Sequence, residues 1–473
     1  MSFLYNWAHS VKLGESRQVF KPKSEDELLT KIKSCNGLIK VLGSGMSFNG
    51  IGRLDESIQS DQDLLLDISE LYSGATEFGD DWAIFGGATD LEQISKSLIT
   101  KQLQIASCPG VLLTQTLAGA LATGTHGQGM NNGGLYDCII SLRIILADGK
   151  IRIIDQTDPD FGGFQIHLGA LGIITHVKLE CEPLTIYRVE KEITDFSSLI
   201  ENFEKWNNES EHCKAWWFPG SDHVQLWRTT KANENELAEY EHNNSKLKVL
   251  NPPGMVKSLS QVKASFKDSI EDLLKIMKKD TSRPNTPLDN SFDEARFRTV
   301  SRFEATESCI GNIYEIWCKG IPAPQVNCEL AVPLDSLSET LVELKEYCLS
   351  KKIKMHYPFI LRCTGSSNAW LSPSSSCKVC YIGFLVYLYP DDLFEETFEI
   401  APGASLEKLH FLKSIEELLC SKSIPHFGKF FSPSLYSFSS KFQKWNDFKN
   451  LVSKVDPTGK FRNSFLKDLI QNV

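Results

Sequence analysis

Two segments built from small residues lie far apart in the chain: Gly43–Asn49 (GSGMSFN) and Thr114–Gly129 (TQTLAGALATGTHGQG). Gly inside a helix or strand costs about 0.5–1 kcal/mol relative to Ala, so such clustering needs a geometric reason. Close approach of the backbone to an extended ligand is that reason. No Cβ stands in the way, and exposed N–H groups in tight turns meet phosphate oxygens. Neither segment is a familiar nucleotide loop: there is no GxxxxGK[ST], and Gly43-x-Gly45 lacks the third Gly and following acidic residue of a dinucleotide fold. The two segments therefore point to a polyanionic cofactor held by distant loops.

The rest of the chain sets bounds on that reading. Its 473 residues suggest roughly two to four domains. With 41% hydrophobic and 23% charged residues, 27 Phe and 9 Trp, it has material for sizeable cores. A formal charge of −10 and the lack of a long basic cluster argue against a nucleic-acid surface. The N-terminus lacks the charged start and apolar core of a secretory signal. The longest apolar stretch, Tyr381–Tyr389, is strand length, so no membrane span is expected. Thirteen cysteines, an odd count without a small-domain rhythm, read as mostly reduced thiols, and the expected location is cytoplasmic. Cys377-Lys378-Val379-Cys380 has CxxC spacing, but without a second CxxC or a His pair packing explains it more simply than redox or metal use. No HExxH occurs, and the expectation is a metal-free protein.

Start and turn signals organise the first 180 or so residues into strand and helix units. Ser24-Glu25-Asp26-Glu27 reads as a capping box ahead of Leu28, Leu29 and Ile32. Thr89-Asp90-Leu91-Glu92 repeats the signal ahead of a Leu91, Ile94, Leu98 stripe. Leu38–Leu42, Leu64–Ile68 and Trp82–Phe85 read as strands, and Asp148-Gly149 as the turn of a hairpin. The character changes after Cys181-Glu182-Pro183. Asn233–Lys248 reads as a surface helix or loop, and Thr281–Asp293 as irregular. The expected division is a binding domain over 1–182, a substrate or cap domain over 183–424, and a segment 425–473 that returns to the first.

The ordered set GSGMSFNGI, TLAGALATGTHGQG, GALGIIT (Gly169–Thr175), NCELAVP (Asn327–Pro333), HYPFILR (His356–Arg362), WLSPS (Trp370–Ser374), HFGK (His426–Lys429) and DPTGKFRN (Asp456–Asn463) resembles the FAD-linked aldonolactone and alditol oxidases of the vanillyl-alcohol-oxidase fold. The pattern is nearest to gulonolactone oxidase-like proteins and runs over nearly the whole chain. The resemblance implies an α+β protein: a two-subdomain FAD-binding domain and a cap built on a large antiparallel sheet. Gly43, Ser44, Gly45, Met46 and Ser47 would wrap the FAD together with Gly110, Thr114, Ala118, Gly119, Thr123, Gly124, His126 and Gly127. Gly172 and Ile174 would approach its nucleotide end, and the turn around Asn463 would close against the flavin. Arg362 and Lys429 match active-site positions of the family, where the arginine contacts a substrate oxygen and the lysine stands beside the flavin. Either cation stabilises electron density arriving on a reduced flavin.

Departures from the family pattern alter the expected chemistry. Many relatives carry a His, bonded to the flavin, where this chain has Met46, so FAD is expected to be noncovalent; a link from Cys108 is the alternative. His126 reads as an organiser of the flavin-facing backbone rather than a general base. Relatives commonly have ExR where this chain has Ile360-Leu361-Arg362, so a carboxylate partner for Arg362 is expected to be missing. Gly383 and Leu385 stand where alditol oxidases offer His and Thr, which removes hydrogen-bonding groups and disfavours an open-chain polyol. Glu329 reads either as a site residue or as cap-strand packing. The expected activity is oxidation of a sugar lactone or related secondary alcohol, with oxygen or another acceptor taking the electrons. The alternatives are a flavoenzyme for a less polar alcohol and a degenerate FAD-fold scaffold.

Overall fold

The computed structural model describes residues 3–55, 62–107, 110, 112–217, 219, 222–243, 307–318, 325–351, 353, 358–387 and 404–471. Thr281–Asp293 and Cys108 lie outside the described residues, as do the first two residues of HYPFILR.

The N-terminal part is built on two sheets. Val19–Phe20, Leu64–Leu66 and Ile39–Val41 form a parallel three-stranded sheet with Leu64–Leu66 in the middle. The helix Glu25–Ser34 supplies Leu28 and Ile32, both fully buried, to the core it shares with this sheet. Ser24 caps that helix by accepting from the Glu27 amide, but the Glu27 carboxylate returns to the Lys23 amide at 2.6 Å, so the cap is one residue looser than a closed box. The second sheet is antiparallel, in the order Ile151–Asp155, Ile139–Ile145, Ile173–Glu180, Trp82–Gly86, Ala75–Phe78. Asp148-Gly149 turns the hairpin as expected, with Gly149 at φ +80°. In front of the helix Leu91–Ile99 the cap is Asp90, not Thr89: the Asp90 carboxylate accepts from the Gln93 amide at 2.7 Å, while the Thr89 hydroxyl donates to the Gly86 carbonyl.

From Ile186 onward the chain enters a large sheet. Its order is Glu307–Asn312, Ile186–Asp195, His223–Lys231, His212–Trp217, Phe359–Thr364, Val379–Tyr387, Gln325–Pro333, Ile424–Pro425, and every pairing is antiparallel. One face packs on the helices Phe196–Glu209, Leu337–Ser350 and Ala404–Leu419. Cys213, Cys363 and Cys380 stand directly across from one another on three of these strands, each with 0% exposure. Cys380 is thus a core residue while Cys377 is exposed, so the two cysteines of the CxxC pair belong to different environments.

The last segment stitches this sheet to the N-terminal part. The Phe48 amide donates to the Gly428 carbonyl, and the Ile39 amide to that of Lys460. Asn49 Nδ2 donates to the carbonyls of Phe427 and Lys429, each at 2.7 Å. Among the described residues no helix is long and apolar enough to cross a membrane.

Candidate active site

Between the small-residue loops and the large sheet lies a cavity of about 360 Å³. One wall comes from the loop 43–49 and the short helix Leu117–Ala122, pressed together. A Cβ on Gly43 would stand 2.7 Å from Thr116 Oγ1, so a side chain there would crowd the other segment, while one on Gly119 would stand 2.9 Å from the same atom and crowd the cap of its own helix. Gly45 adopts φ +66°, which turns the loop. The amides of Ser44, Gly45, Met46 and Ser47 donate to no acceptor among the described residues. Backbone donors without partners along a side-chain-free wall suit a diphosphate and a planar ring system, and these residues fit FAD.

The opposite wall is the large sheet. Along Gln325–Pro333 the side chains alternate: Val326, Cys328 and Leu330 enter the core, while Gln325, Asn327 and Glu329 line the cavity. Glu329 is the hub of a buried charged group. Its Oε1 accepts from Arg362 Nη2, and its Oε2 stands 3.6 Å from His126 Nε2 and 3.8 Å from Lys429 Nζ. Arg362 reaches it from the neighbouring part of the sheet, passing Gly110, where a Cβ would collide with the guanidinium. Lys429 is carried by the turn His426–Lys429. His426 N and Phe430 N donate to the carbonyls of Glu329 and Asn327, and Asn49 holds the other side.

The electrostatics follow from burial and from these distances. Burial alone would push the Glu329 carboxyl upward, but the Arg362 and Lys429 charges outweigh it and hold it well below the usual carboxylate range. Burial lowers Lys429, against the pull of Glu329, and the Arg362 charge lowers it further. His126 and His426 are both pushed down, chiefly by burial, and are neutral imidazoles. His126, Glu329 and His426 bring potential ligand atoms within 4.8 Å of one another. Yet His426 Nδ1 accepts from the Gly428 amide, Glu329 is engaged by Arg362, and two cations stand alongside. That surrounding is unfavourable to a metal cation.

The cavity gathers most of the residues singled out from the sequence. Gly43, Ser44, Gly45, Met46, Ser47, Gly110, Ala118, Gly119, Thr123, His126, Gly172, Ile174, Arg362 and Lys429 line it. Four do not. Thr114 sits behind Met46 and donates to its sulfur at 3.7 Å. Gly124, at φ +77°, and Gly127 shape the turn that carries His126. Asn463 does not close against the cavity: its Nδ2 donates to the Gly50 and Arg53 carbonyls and its Oδ1 caps the helix Ser464–Gln471, leaving Phe461 as the lining residue of that segment. The expected lack of a carboxylate partner for Arg362 is corrected as well, because Glu329 supplies one from two strands away, across Val379–Tyr387. Polar residues alternating through an otherwise apolar strand were the signal for it, as was a lone Lys in Leu38–Leu42 for Lys40.

Comparison with known proteins agrees with this architecture. Residues 16–155 match the FAD binding domain family model, and residues 177–469 match the model for D-arabinono-1,4-lactone oxidase. Fold and site together define an FAD-dependent oxidoreductase of the vanillyl-alcohol-oxidase type. The chain belongs to the D-arabinono-1,4-lactone oxidase family. It is 22% identical over 458 residues to the L-gulono-1,4-lactone dehydrogenase of Mycobacterium tuberculosis, covering 96% of this chain and 95% of that protein. It is 28% identical over 234 residues to the D-arabinono-1,4-lactone oxidase of Candida glabrata, and that match spans 48% of this chain and 44% of the fungal protein. Among solved structures, a cholesterol oxidase from B. sterolicum superposes with a TM-score of 0.72 at 14% identity, over 99% of this chain and 96% of that one, which is a likeness of fold. The cofactor is noncovalent FAD, and Met46 lines the cavity with a thioether, not an imidazole.

Lys40 extends the cofactor wall beyond the expected residues. It lines the cavity at 4% exposure, and its Nζ donates to the Phe461 carbonyl at 3.2 Å. Burial lowers it to about 8, against the pull of Asp55 and Asp456. A buried ammonium beside a polyanion is expected to favour its binding, so Lys40→Met should weaken FAD retention about tenfold, ~1.4 kcal/mol. Because the charge is lost as pH rises through about 8, FAD affinity of the unaltered protein should fall above that pH and the variant's should not. Flavin fluorescence on dilution measures both.

Proposed function

We propose that the protein oxidises a hydroxylated sugar lactone or closely related secondary alcohol, with oxygen or another small acceptor receiving the electrons. The observation that carries this reading is the buried Glu329–Arg362 pair, which faces the cavity between the small-residue loops and the polar edge of Gln325–Pro333. Bound FAD supplies the two-electron acceptor. Arg362, oriented by Glu329, presents its remaining N–H donors to a substrate oxygen in a fixed fork. Lys429 adds positive charge where electron density builds up. The burial of Glu329 and Arg362 limits competition from water for these donors.

The walls discriminate among alcohols. Glu329, Gly383, Ile360 and Trp216 share one row across the sheet, so a polar group and an aromatic ring flank an apolar gap. Trp227 and Trp317 stand nearby, with Lys214 Nζ 4.4 Å and 4.7 Å from their ring centres. Asn327, 8% exposed, has an Oδ1 without a partner. A compact ring with hydroxyls along one edge and C–H groups on its face suits such walls. A wholly apolar alcohol would leave Asn327 and Glu329 unsatisfied, and a long polyol would bury hydroxyls against Ile360 and Leu385.

An anaerobic panel checks the reading: aldonolactones should bleach the flavin more readily than open-chain polyols or apolar secondary alcohols, and the reverse ranking would overturn it. Gly383 gives a further test of the gap. A Cβ there would meet Glu329 Oε1 at 3.5 Å and Ile360 Cβ at 3.7 Å, so Ala fits while larger groups intrude. Gly383→Val should raise the lactone KM about tenfold or more, with FAD content unchanged. Steady-state kinetics beside a flavin-to-protein absorbance ratio measure this.

A further inference from the structure

We propose that His126 accepts the proton of the substrate hydroxyl through Nε2. This rests on the oxidation of an alcohol or lactone hydroxyl proposed above. The imidazole is 3% exposed and lines the cavity, and its Nδ1 lies 3.0 Å from the Gly127 carbonyl. A carbonyl only accepts, so the hydrogen-bond network assigns the ring proton to Nδ1. Nε2 is then left with its lone pair. It faces Glu329 Oε2 at 3.6 Å, too far for a hydrogen bond, and neither atom has a hydrogen-bond partner. Two buried acceptors facing one another are unfavourable until a donor lies between them, and a substrate hydroxyl is such a donor.

The other groups around the ring are poorer acceptors. Arg362 and Lys429 approach as cations, Arg362 from the sheet and Lys429 from the turn after His426. Glu329, held far below the usual range by those cations, binds a proton weakly. His426 uses Nδ1 to accept from the Gly428 amide, so its Nε2 carries the proton when the ring is neutral. The Tyr381 ring stacks on His126 with centroids 3.5 Å apart, and burial drives its hydroxyl well above the usual phenol range.

The step balances with the oxidant already named. The hydroxyl O–H breaks and its proton passes to Nε2. The adjacent C–H hydrogen leaves with its bonding electron pair as a hydride, which bound FAD would accept, and the C–O single bond becomes a carbonyl. The imidazolium so formed is opposed by burial and by the Arg362 charge, and is favoured by the Glu329 carboxylate beside it and the Tyr381 ring face against it. The THG turn thus uses one ring nitrogen to hold the backbone and leaves the other for chemistry.

His126→Asn tests the assignment, because its amide N–H reproduces the Nδ1 donor without a basic nitrogen. In anaerobic stopped-flow mixing with an aldonolactone, the variant should lose about 10²–10⁴ in the rate of flavin reduction. Lactone affinity should hold, the residual rate should rise with pH, and added imidazole should restore part of it. A rate within about threefold of the unaltered protein would overturn the proposal. Nitrogen NMR of histidine-labelled, FAD-loaded protein reads the tautomer directly and decides the matter if the variant fails to load FAD: an Nδ1-protonated His126 is expected, and a proton resting on Nε2 would overturn it. If no lactone or alcohol reduces the unaltered protein, the substrate reading fails, while the tautomer still tests the assignment.

Discussion

Glu329→Leu is expected to be the most damaging single change in the site, lowering the rate of flavin reduction by about 10²–10³ and the stability by about 3–5 kcal/mol. Both effects have one cause. Glu329, 2% exposed, is the anion shared by Arg362 and Lys429, and removing it leaves the buried Arg362 and the half-buried Lys429 with no counter-charge. Arg362 also loses the partner that fixes its fork, so substrate affinity should fall along with the rate. The pH dependence has a definite sign. The folded carboxyl lies well below its unfolded value, so its contribution is fully present above the unfolded range near ~4.3 and is lost as pH falls toward the folded value. Denaturant melts of the protein and of Glu329→Leu should therefore differ most at neutral pH and converge in acid. Equal midpoints at neutral pH would show that the pair contributes nothing to the fold.

The second large effect is expected at Asn49→Leu. This buried amide, 7% exposed, ties the end of the first glycine segment to a turn almost 380 residues later, donating to Phe427 and Lys429 and accepting from the Ile51 amide. Leu at this position keeps the bulk and deletes all three bonds. Two carbonyls and an amide lose their partner, for a cost of about 2–4 kcal/mol. The functional consequence is specific, because the released carbonyl belongs to Lys429. FAD retention and the rate of flavin reduction should decline together, whereas Gly383→Val acts on KM alone. Thermal melts with and without added FAD separate the two: the cofactor should recover less stability in the Asn49 variant than in the unaltered protein.

How much of this was legible beforehand depends on whether a signal is local. The glycine segments could be read directly, since clustered small residues demand close approach wherever they lie. Arg362 and Lys429 were also readable, from the contexts FILR and HFGK. Pairing between strands was not. Glu329 and Arg362 are 33 residues apart in sequence and meet only because Gln325–Pro333 and Phe359–Thr364 both flank Val379–Tyr387 with the register Glu329–Gly383–Ile360. A one-residue slip would turn Glu329 into the core, and no single-strand pattern rules that out. The resemblance led toward a missing carboxylate because it compared positions along one strand, while the carboxylate arrives from two strands away, across Val379–Tyr387. Asn463 illustrates the converse. Its place near the end of a family-like motif suggested contact with the flavin, yet an Asn ahead of an apolar run is equally a helix cap, and that is the job it does. The polar alternation of Gln325, Asn327 and Glu329 was present in the sequence and marks a strand with one face toward a cavity.

Anaerobic titration of the FAD-loaded protein with an aldonolactone, followed by its visible spectrum, addresses the central claim most directly. Full loss of the oxidised flavin band at about one equivalent of tightly bound substrate or at saturation of a weaker one, with free FAD recovered on denaturation, is the predicted result. A flavin band that stays unchanged across lactones and secondary alcohols, in protein that has demonstrably bound FAD, would contradict it.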